Sequence, residues 1–384
     1  MPLPWDKQGG RSFLNANEER RTQMAPRLLS LFMVSFMSVL GLFPILTTAD
    51  QAQAFQEWVA VPQMDCADLM RFDAEYFPAT GMIYILGGRY GGETRGNIYA
   101  FDPVTRTCSD TGAVLTTPVS NYTISLANDG VSDLLYVFGG RDSAGNRTAS
   151  VQCYNPVTNQ AFVKTSLPLT FADYSNGYGQ VTLNNKVYLF GGFNVTDMTA
   201  MTYRFDPVTN GFTRLSDLSL ARAYIYAAVV DGKIFALGGD EYISYNLVAS
   251  DRVEVMADPE GAATWDDGCA PDLPTPLGEG RALGIDFNRS PIFGGKILLV
   301  GGGVWPSESN MVLSFDTKTG IYDDAVPDLN VARRNHAAAL ALVPEPTLWV
   351  FGGRTLSDAP PHAQPEYFKL NILVGPAVNL LLLE

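Results

Sequence analysis

Side chains that could catalyse a reaction or bind a metal are sparse in this sequence. The two histidines, His336 and His362, lie in different segments, and the four cysteines lack the Cys-x-x-Cys spacing of a zinc site. The nucleophile elbow, zincin, Walker and dinucleotide-binding motifs do not occur in a supporting context. His336 begins an apolar segment, which favours a structural role, and His362 follows two prolines, which favours an exposed loop. The sequence predicts no catalytic residue, no metal and no cofactor.

Arginines show a more regular pattern. Three of them, Arg89, Arg141 and Arg354, directly follow a Gly-Gly pair. A second set precedes the next Gly-Gly pair by 16 to 20 residues and comprises Arg71, Arg222, Arg281 and Arg333, which stands beside Arg334. A guanidinium can bind a carboxylate or sulfate through two parallel hydrogen bonds, or brace a loop by donating to its carbonyls. Both roles stay open for these arginines.

The Gly-Gly pairs belong to an internal repeat. A short apolar run ends in Gly-Gly six times, at 83–88, 135–140, 187–192, 234–239, 297–302 and 348–353. Successive spacings are 52, 52, 47, 63 and 51 residues. An apolar run of this length indicates a buried strand, and the glycines permit a turn that side chains would obstruct.

A second motif follows most of the Gly-Gly pairs. Asp-Pro or Asn-Pro precedes a threonine at 102–105, 155–158 and 206–209, with diverged versions at 258–259 and 316–319. An Asp or Asn in this position predicts a side-chain-capped turn between antiparallel strands. Six or seven residues beyond it an aromatic position recurs, occupied by Phe162, Phe212, Trp265 and Tyr322, with Cys108 in the first repeat.

Together the two motifs resemble the kelch repeat, over residues 55–372. The resemblance implies an all-β fold, a six-bladed kelch-type β-propeller with four antiparallel strands per blade. Such a ring leaves only short, protected sheet edges. The resemblance says little about function, because kelch propellers include enzymes, binding proteins and cytoskeletal adaptors. The copper-radical oxidases built on similar propellers need a histidine arrangement that is not recognisable here.

The resemblance also implies where the arginines lie. In kelch propellers the loops after Gly-Gly and the loops between blades open on the same face. A hypothetical ligand site at the channel mouth then comprises Arg89, Arg141, Arg354, Arg222, Arg281 and Arg333. We expect the first three to contact the ligand, and we expect Arg71, Arg222, Arg281 and Arg333 to be mainly structural.

The last blade requires a strand from the other end of the chain. Residues 336–342, 347–351 and 366–372 supply three strands, and 55–61, which contains Trp58, is the expected fourth. The apolar tail within 373–384 is the competing candidate. Leaving one edge of a blade unpaired would invite aggregation, so one of the two segments must close the ring.

The N-terminus carries a targeting pattern. Residues 28–47 are apolar and uncharged, Arg27 precedes them, and Ala52-Gln53-Ala54 fits a signal-peptidase site. We therefore assign 1–54 to an N-terminal extension and signal peptide, 55–372 to the propeller and 373–384 to a tail. This predicts a secreted protein with no membrane span. The alternative is an uncleaved signal-anchor, which would give a type II membrane protein.

Two further features agree with secretion. Sequons for N-glycosylation occur at Asn121, Asn146, Asn194 and Asn288. The cysteines, Cys66, Cys108, Cys153 and Cys269, are even in number and allow two disulfides in three connectivities. A Cys66–Cys108 pair within the first blade is preferred.

The net charge of the chain limits the classes of partner that it can bind. The formal net charge is −14 with a pI near 4.6, so the chain repels nucleic acid. Eight acidic residues between 251 and 279 are interpreted as a solvated insertion. The sequence favours a module that binds a protein or glycan, with an anionic ligand suited to the arginines. The alternative is an enzyme similar to the sialic-acid mutarotases built on kelch propellers.

Overall fold

The computed structural model describes residues 57–194, 196–304, 306–355 and 362–370. The longer strands of this part of the chain form six four-stranded antiparallel sheets, which are the blades of a β-propeller. The predicted fold class is therefore confirmed. The N-terminal segment 1–54 and the tail 373–384 lie outside the described residues.

Each blade runs from an inner first strand to an outer fourth strand. Blade 1 consists of β2 (Asp73–Phe77), β3 (Met82–Tyr90), β4 (Glu93–Asp102) and β5 (Thr107–Val114). Blade 2 consists of β6 (Ile124–Asn128), β7 (Asp133–Phe138), β8 (Ser150–Asn155) and β9 (Gln160–Ser166). Blade 3 consists of β10 (Gly179–Leu183), β11 (Lys186–Phe190), β12 (Thr202–Asp206) and β13 (Gly211–Arg214).

The second half of the ring follows the same plan. Blade 4 consists of β14 (Tyr226–Val230), β15 (Lys233–Leu237), β18 (Val253–Met256) and β19 (Trp265–Asp266). Blade 5 consists of β20 (Arg281–Ile285), β21 (Lys296–Val300), β24 (Val312–Asp316) and β25 (Ile321–Asp323). Blade 6 consists of β26 (Ala337–Ala341), β27 (Thr347–Phe351), β28 (Glu366–Lys369) and β1 (Val59–Ala60).

Short elements supplement the blades. The loop between the second and third strands of blade 4 forms a hairpin of β16 (Asp240–Ile243) and β17 (Asn246–Ala249). Blade 5 has a smaller hairpin of β22 (Gly303–Val304) and β23 (Ser307–Glu308). A 3-10 helix spans Asp65–Ala67 and the helix α1 spans Leu169–Ala172. Across the described residues no helix is long and apolar enough to cross a membrane.

The ring is closed in two ways. Each first strand contacts the first strands of both neighbouring blades, so β2 contacts β6 on one side and β26 on the other. The N-terminal strand β1 also pairs with β28, which confirms the expected N-terminal closure of blade 6. Trp58 lies buried just before β1, its ring 5.6 Å from that of Phe368, and it donates to the carbonyl of Pro327.

The Gly-Gly pairs connect successive blades. The second glycine of each pair donates its N–H to a carbonyl in the loop that leads to the next blade, as Gly192 does to Arg222 at 2.8 Å and Gly353 to Leu69 at 2.8 Å. A Cβ at Gly191 would lie 2.4 Å from the Arg222 carbonyl oxygen. Only glycine permits this approach, because a side chain would separate the blades.

The predicted turns and one disulfide are also present. Asp102 caps its turn by accepting from the N–H groups of Val104 and Thr105, and Asn155, Asp206 and Asp316 cap theirs in the same way. Cys66 and Cys108 form the preferred disulfide. A second disulfide is not formed, since Cys153 is free and buried in blade 2 while Cys269 is free and exposed on blade 4.

Candidate functional site

One end of the central channel is bounded by a ring of six residues, one per blade. Each stands two or three residues before the first strand of a blade and has a left-handed backbone, with φ between 53° and 68°. Each donates its N–H to the carbonyl of the ring residue in the preceding blade. We call this set the mouth ring: Arg71, Asn121, Gly177, Tyr224, Glu279 and Asn335.

Hydrogen bonding explains how the mouth ring tolerates its backbone conformation. The N···O distances are 2.8 Å from Arg71 to Asn335 and 2.7 Å from Asn121 to Arg71. A left-handed conformation suits glycine and asparagine but costs about 1–2 kcal/mol in arginine, tyrosine or glutamate. The closed cycle satisfies all six donors, and it places the ring side chains around the channel.

Two asparagines of the mouth ring have structural bonds. Asn121 is buried, and its Nδ2 donates to Asn176 Oδ1 at 2.5 Å. Asn335 Nδ2 donates to Glu279 Oε2 at 3.0 Å. The sequon at Asn121 is therefore inaccessible to a glycan in the folded domain, which corrects that expectation. Asn146 and Asn288 are exposed, and Asn194 is half-buried.

A second layer surrounds the mouth ring. Its members directly follow the Gly-Gly pairs, and backbone bridges join Arg89 to Met70, Arg141 to Ser120 and Arg354 to Arg334. The three arginines thus lie on consecutive blades, 6, 1 and 2. We call them, together with Arg71 of the mouth ring, the arginine arc. The three residues expected to contact ligand are therefore brought together on one side of the mouth.

The guanidinium groups of the arc are close enough to repel one another. Burial lowers the pKa of Arg89, and the charges of Arg71, Arg141 and Arg354 lower it further. Arg89 Nε donates to the Gly92 carbonyl at 3.1 Å, and Arg141 Nε donates to that of Gly145 at 3.2 Å. These bonds leave the other guanidinium N–H groups of Arg89 and Arg141 beside a cavity of about 220 Å³ that both residues line.

The part of the mouth on blades 4 and 5, which adjoins Arg354 of the arc, is acidic and internally neutralised. Arg334 is buried and forms ion pairs with Glu279 and with Glu308, the latter at 3.2 Å. Asp240 is buried nearby, and burial together with the Glu279 charge raises its pKa well above the ordinary range. Arg334 is therefore compensated by two glutamates, whereas the arginines of the arc raise the positive potential around Arg89. Glu279 is not part of a solvated insertion, contrary to expectation.

Inside the mouth ring the channel contains a cavity of about 160 Å³. Arg281 reaches into it and donates to Asp73 Oδ1 at 3.1 Å and to the Phe72 carbonyl at 2.7 Å. Asp73 Oδ2 also accepts from the Ile124 N–H at 3.0 Å. Arg281 thus joins blade 5 to blade 1 across the channel, and this geometry supports its expected structural role.

Glu75 is an acid of the channel with a strongly raised pKa. It lines the 160 Å³ cavity and the next cavity along the channel, of about 280 Å³. Burial, followed by the neighbouring Asp73 charge, raises the pKa of Glu75 to about 8. At neutral pH this carboxyl is mostly protonated and can donate a hydrogen bond into the channel.

Two members of the hypothetical ligand site, Arg222 and Arg333, have the structural role that was expected of them and do not belong to a ligand site. Arg222 is buried, donates to the carbonyls of Gly238 and Arg252, and pairs with Glu254 at 2.9 Å. Arg333 repeats this arrangement with Gly352 and with Glu366 at 2.7 Å. Neither guanidinium is accessible to a ligand, because both are enclosed within blades.

Both histidines lie beside Gly353, which precedes Arg354: His362 donates its backbone N–H to the Gly353 carbonyl at 2.9 Å, and a Cβ at Gly353 would lie 2.7 Å from that of His336. His336 is buried, a Cβ at Gly301 would lie 2.9 Å from its ring, and burial lowers its pKa well below 6.5. A neutral, enclosed imidazole agrees with the structural role. His362 is half-buried, not exposed, and burial and the Arg333 charge lower its pKa to about 4.

The residues that the sequence interpretation missed are Asp73, Glu75 and Glu279. A signal existed for the first two, since they occupy alternate positions in one strand and so face the same side. Polar residues at this spacing in a strand that begins a blade point to the channel. Glu279 carried no such signal, because its partner Arg334 lies 55 residues away.

Comparisons with known proteins give consistent matches. A family model described as the KLHDC2/KLHL20/DRC7 Kelch-repeats domain matches residues 77–254. Kelch-like protein 21 of Danio rerio is 29% identical over 111 residues, which is 29% of this chain and 18% of that protein. Kelch-like protein 25 of Xenopus tropicalis is 31% identical over 133 residues, 32% of this chain and 22% of that one. The chain thus spans about a fifth of these relatives' length.

A further relative and a solved structure are also similar to this chain. Alpha-scruin of Limulus polyphemus is 28% identical over 141 residues, 34% of this chain and 15% of that protein. A solved chain described as "Structure of YjhT" superposes with a TM-score of 0.60 at 16% identity, and the match covers 82% of this chain and 97% of that one. At this identity the superposition supports the shared fold alone.

Proposed function

The chain belongs to the kelch-repeat β-propellers, and on that premise we propose that it is a protein-binding module that captures an acidic segment of its partner on the arginine arc. The observation that carries the proposal is the clustering of Arg71, Arg89, Arg141 and Arg354 at one side of the channel mouth. Four mutually repelling guanidinium groups are stabilised when carboxylates arrive between them.

Charge elsewhere on the molecule supports this choice. The net charge of −14 repels acidic ligands from most of the surface, so the arc is a local attractive site. The cavity directly below the arc measures about 160 Å³, and the next cavity along the channel adds about 280 Å³. The arc itself lies at the mouth, where an acidic side chain of a protein partner can reach it without entering the channel.

The test is a binding titration with a labelled acidic peptide rich in aspartate and glutamate. The triple variant R89A/R141A/R354A should bind at least about tenfold more weakly, because each lost charge-assisted bond contributes roughly 1 kcal/mol or more. The parent's affinity should also fall steeply with salt. A matched control is K233A/R289A/K318A, which removes the same charge from the first residue of β15 and from two turns between blade strands. Equal binding by parent and triple variant would contradict the proposal.

A second candidate rests on the channel itself. Glu75 is protonated near neutrality and shares a cavity with Arg281 and Asp73, which is an arrangement that could hold a carboxylate sugar and donate a proton to its ring oxygen. An enzyme similar to sialic-acid mutarotases would accelerate anomer exchange of such a sugar. NMR exchange measurements with the parent and Glu75→Gln test this directly, and exchange at the uncatalysed rate with both would exclude it.

We also propose that the protein is secreted. The apolar segment 28–47 and the site at Ala52-Gln53-Ala54 support export, and the Cys66–Cys108 disulfide suits an oxidising compartment. A type II membrane anchor remains the alternative arrangement of the same segment.

A further inference from the structure

The hairpin β16–β17 of blade 4 has an unusual turn. Its two loop residues, Ser244 and Tyr245, both have left-handed backbones, with φ of 49° and 67°. Blade 1 has a hairpin at the corresponding position, and its two loop residues are Gly91 and Gly92. Glycine is the residue that this type of turn favours. Blade 4 therefore carries a tyrosine where the turn alone would select a small residue.

The contacts of Tyr245 within the chain offset little of the strain in its backbone. Its side chain is 90% exposed, and its ring makes an edge contact with the Tyr242 ring, with 6.4 Å between the ring centroids. A bulky residue in a left-handed conformation costs about 1–2 kcal/mol. A strained, exposed aromatic residue beside a binding face points to a contact with something outside the chain.

The two faces of the hairpin differ: one packs on the propeller and the other is exposed, as a docking element requires. Tyr242 and Leu247 lie opposite each other and pack on the propeller, with the Tyr242 ring 5.2 Å from that of Phe193. Alternation places Ile243 and Val248 on the other face, where they are 49% and 42% exposed. One face thus anchors the hairpin, the other presents the apolar side chains of Ile243 and Val248, and Tyr245 lies in the turn at the tip.

Position and charge indicate what would cover this surface. Blade 4 lies three blades from blade 1 in a ring of six, so the hairpin and the arginine arc stand on opposite sides of the mouth. Glu241 pairs with Val248 on the outward face and repels carboxylates there. An acidic segment that crosses the mouth is therefore favoured when its acids lie on the arc and an uncharged residue lies on the hairpin.

We propose that Tyr245, with Ile243 and Val248, forms a second contact site that covers an apolar or aromatic side chain of the acidic segment held by the arginine arc. This inference rests on the proposed function and specifies the partner: an extended acidic peptide with an apolar residue displaced from its acids. The occupant is a segment of another protein.

The test uses labelled peptides of about 14 residues, which span roughly 45 Å when extended. Each peptide has two adjacent glutamates near one end. A single phenylalanine occupies a different position in each peptide of the series, and a matched series has alanine in place of the phenylalanine. At the position that reaches the hairpin, the parent should prefer phenylalanine by about tenfold or more, because burying an aromatic ring contributes that much.

The deciding variant is S244G/Y245G, which copies the Gly91-Gly92 turn of blade 1. It should melt at the parent's temperature or above, because the left-handed strain is relieved, and it should lose the preference for phenylalanine while still requiring the acids. Val131→Ser is the control, since Val131 is 89% exposed in the turn between β6 and β7. It should keep the preference.

The outcomes separate the two proposals. If R89A/R141A/R354A binds every peptide as the parent does, the function proposed for the arc fails. If binding needs the arginines but S244G/Y245G keeps the preference for phenylalanine, the hairpin inference alone is overturned. If a galacturonic acid tetramer binds with hairpin dependence and no peptide does, the occupant is a glycan and the inference is wrong.

Discussion

At the scale of single residues, the arginines divide by what their guanidinium groups touch. Arg222 and Arg333 each bond to the carbonyl of a Gly-Gly glycine and pair with a buried glutamate of the third strand in the same blade. Arg89 and Arg141 bond to carbonyls of their own loops. The first pair is internal to blades 4 and 6, while the second pair faces the channel mouth.

This division predicts losses of stability of different size. Arg222→Ala should lower the free energy of unfolding by about 3–5 kcal/mol, because Glu254 is left buried without its partner. Arg89→Ala should lower it by less than about 1 kcal/mol, since that residue is partly exposed. Urea unfolding of the two variants checks both values. The double variant R222A/E254A should be more stable than R222A. If it is not, the unpaired Glu254 is not the cause of the lost stability.

Glu75 predicts a pH dependence of stability. Its pKa is about 8 in the folded chain against 4.5 for the free side chain, so folding retains a proton that the unfolded chain releases as pH rises between these values. The destabilisation from Glu75 is therefore absent below about pH 4 and grows up to about pH 8. Glu75→Gln should raise the melting temperature more at pH 8.5 than at pH 5. An equal change at both would show that Glu75 ionises normally in the channel.

At the scale of elements, ring closure depends on a strand of two residues. Val59 and Ala60 pair with Tyr367 and Glu366, and Asn330 Nδ2 donates to the Trp58 carbonyl at 2.9 Å. The disulfide from Cys66 to Cys108 then ties the following segment to β5 of blade 1. The N-terminal segment thus connects blade 6 to blade 1 through both a strand and a covalent bond.

Removing the closing strand should expose the outer edge of β28. Deletion of residues 55–61 is expected to lower the melting temperature and to promote aggregation, because unpaired strand edges associate. Trp58→Ala should destabilise by about 3–5 kcal/mol through loss of buried ring contacts. Val59→Thr is the control in the same strand, because Val59 is already 42% exposed. Unchanged melting and solubility after the deletion would indicate closure by the C-terminal tail.

At the scale of the whole molecule, the remaining prediction concerns processing. If 1–54 contains a cleaved signal peptide, the secreted protein should begin near Phe55. N-terminal sequencing of material from the culture medium measures this. Recovery of the intact chain in a membrane fraction would instead establish the type II anchor.

The sequence by itself determined the architecture. Six Gly-Gly runs, the Asp-Pro or Asn-Pro turns and the aromatic position after them predicted six blades of four strands, and Trp58 predicted the closing strand. These features could be read from sequence because the interactions that specify them are local or repeat at a fixed period. A capped turn such as that at Asp102 involves residues two and three positions away.

The tertiary structure alone decided which residues form the site. The mouth ring joins six loops about fifty residues apart, and no local pattern shows that Arg71 and Asn335 are bonded neighbours. Arg222 and Arg89 both recur at regular repeat positions, but a glutamate 32 residues away pairs with the first, and the charges of other arginines act on the second. Glu75 owes its raised pKa to enclosure by strands from other blades. Side-chain environments depend on contacts between distant segments, and those contacts form only when the ring closes.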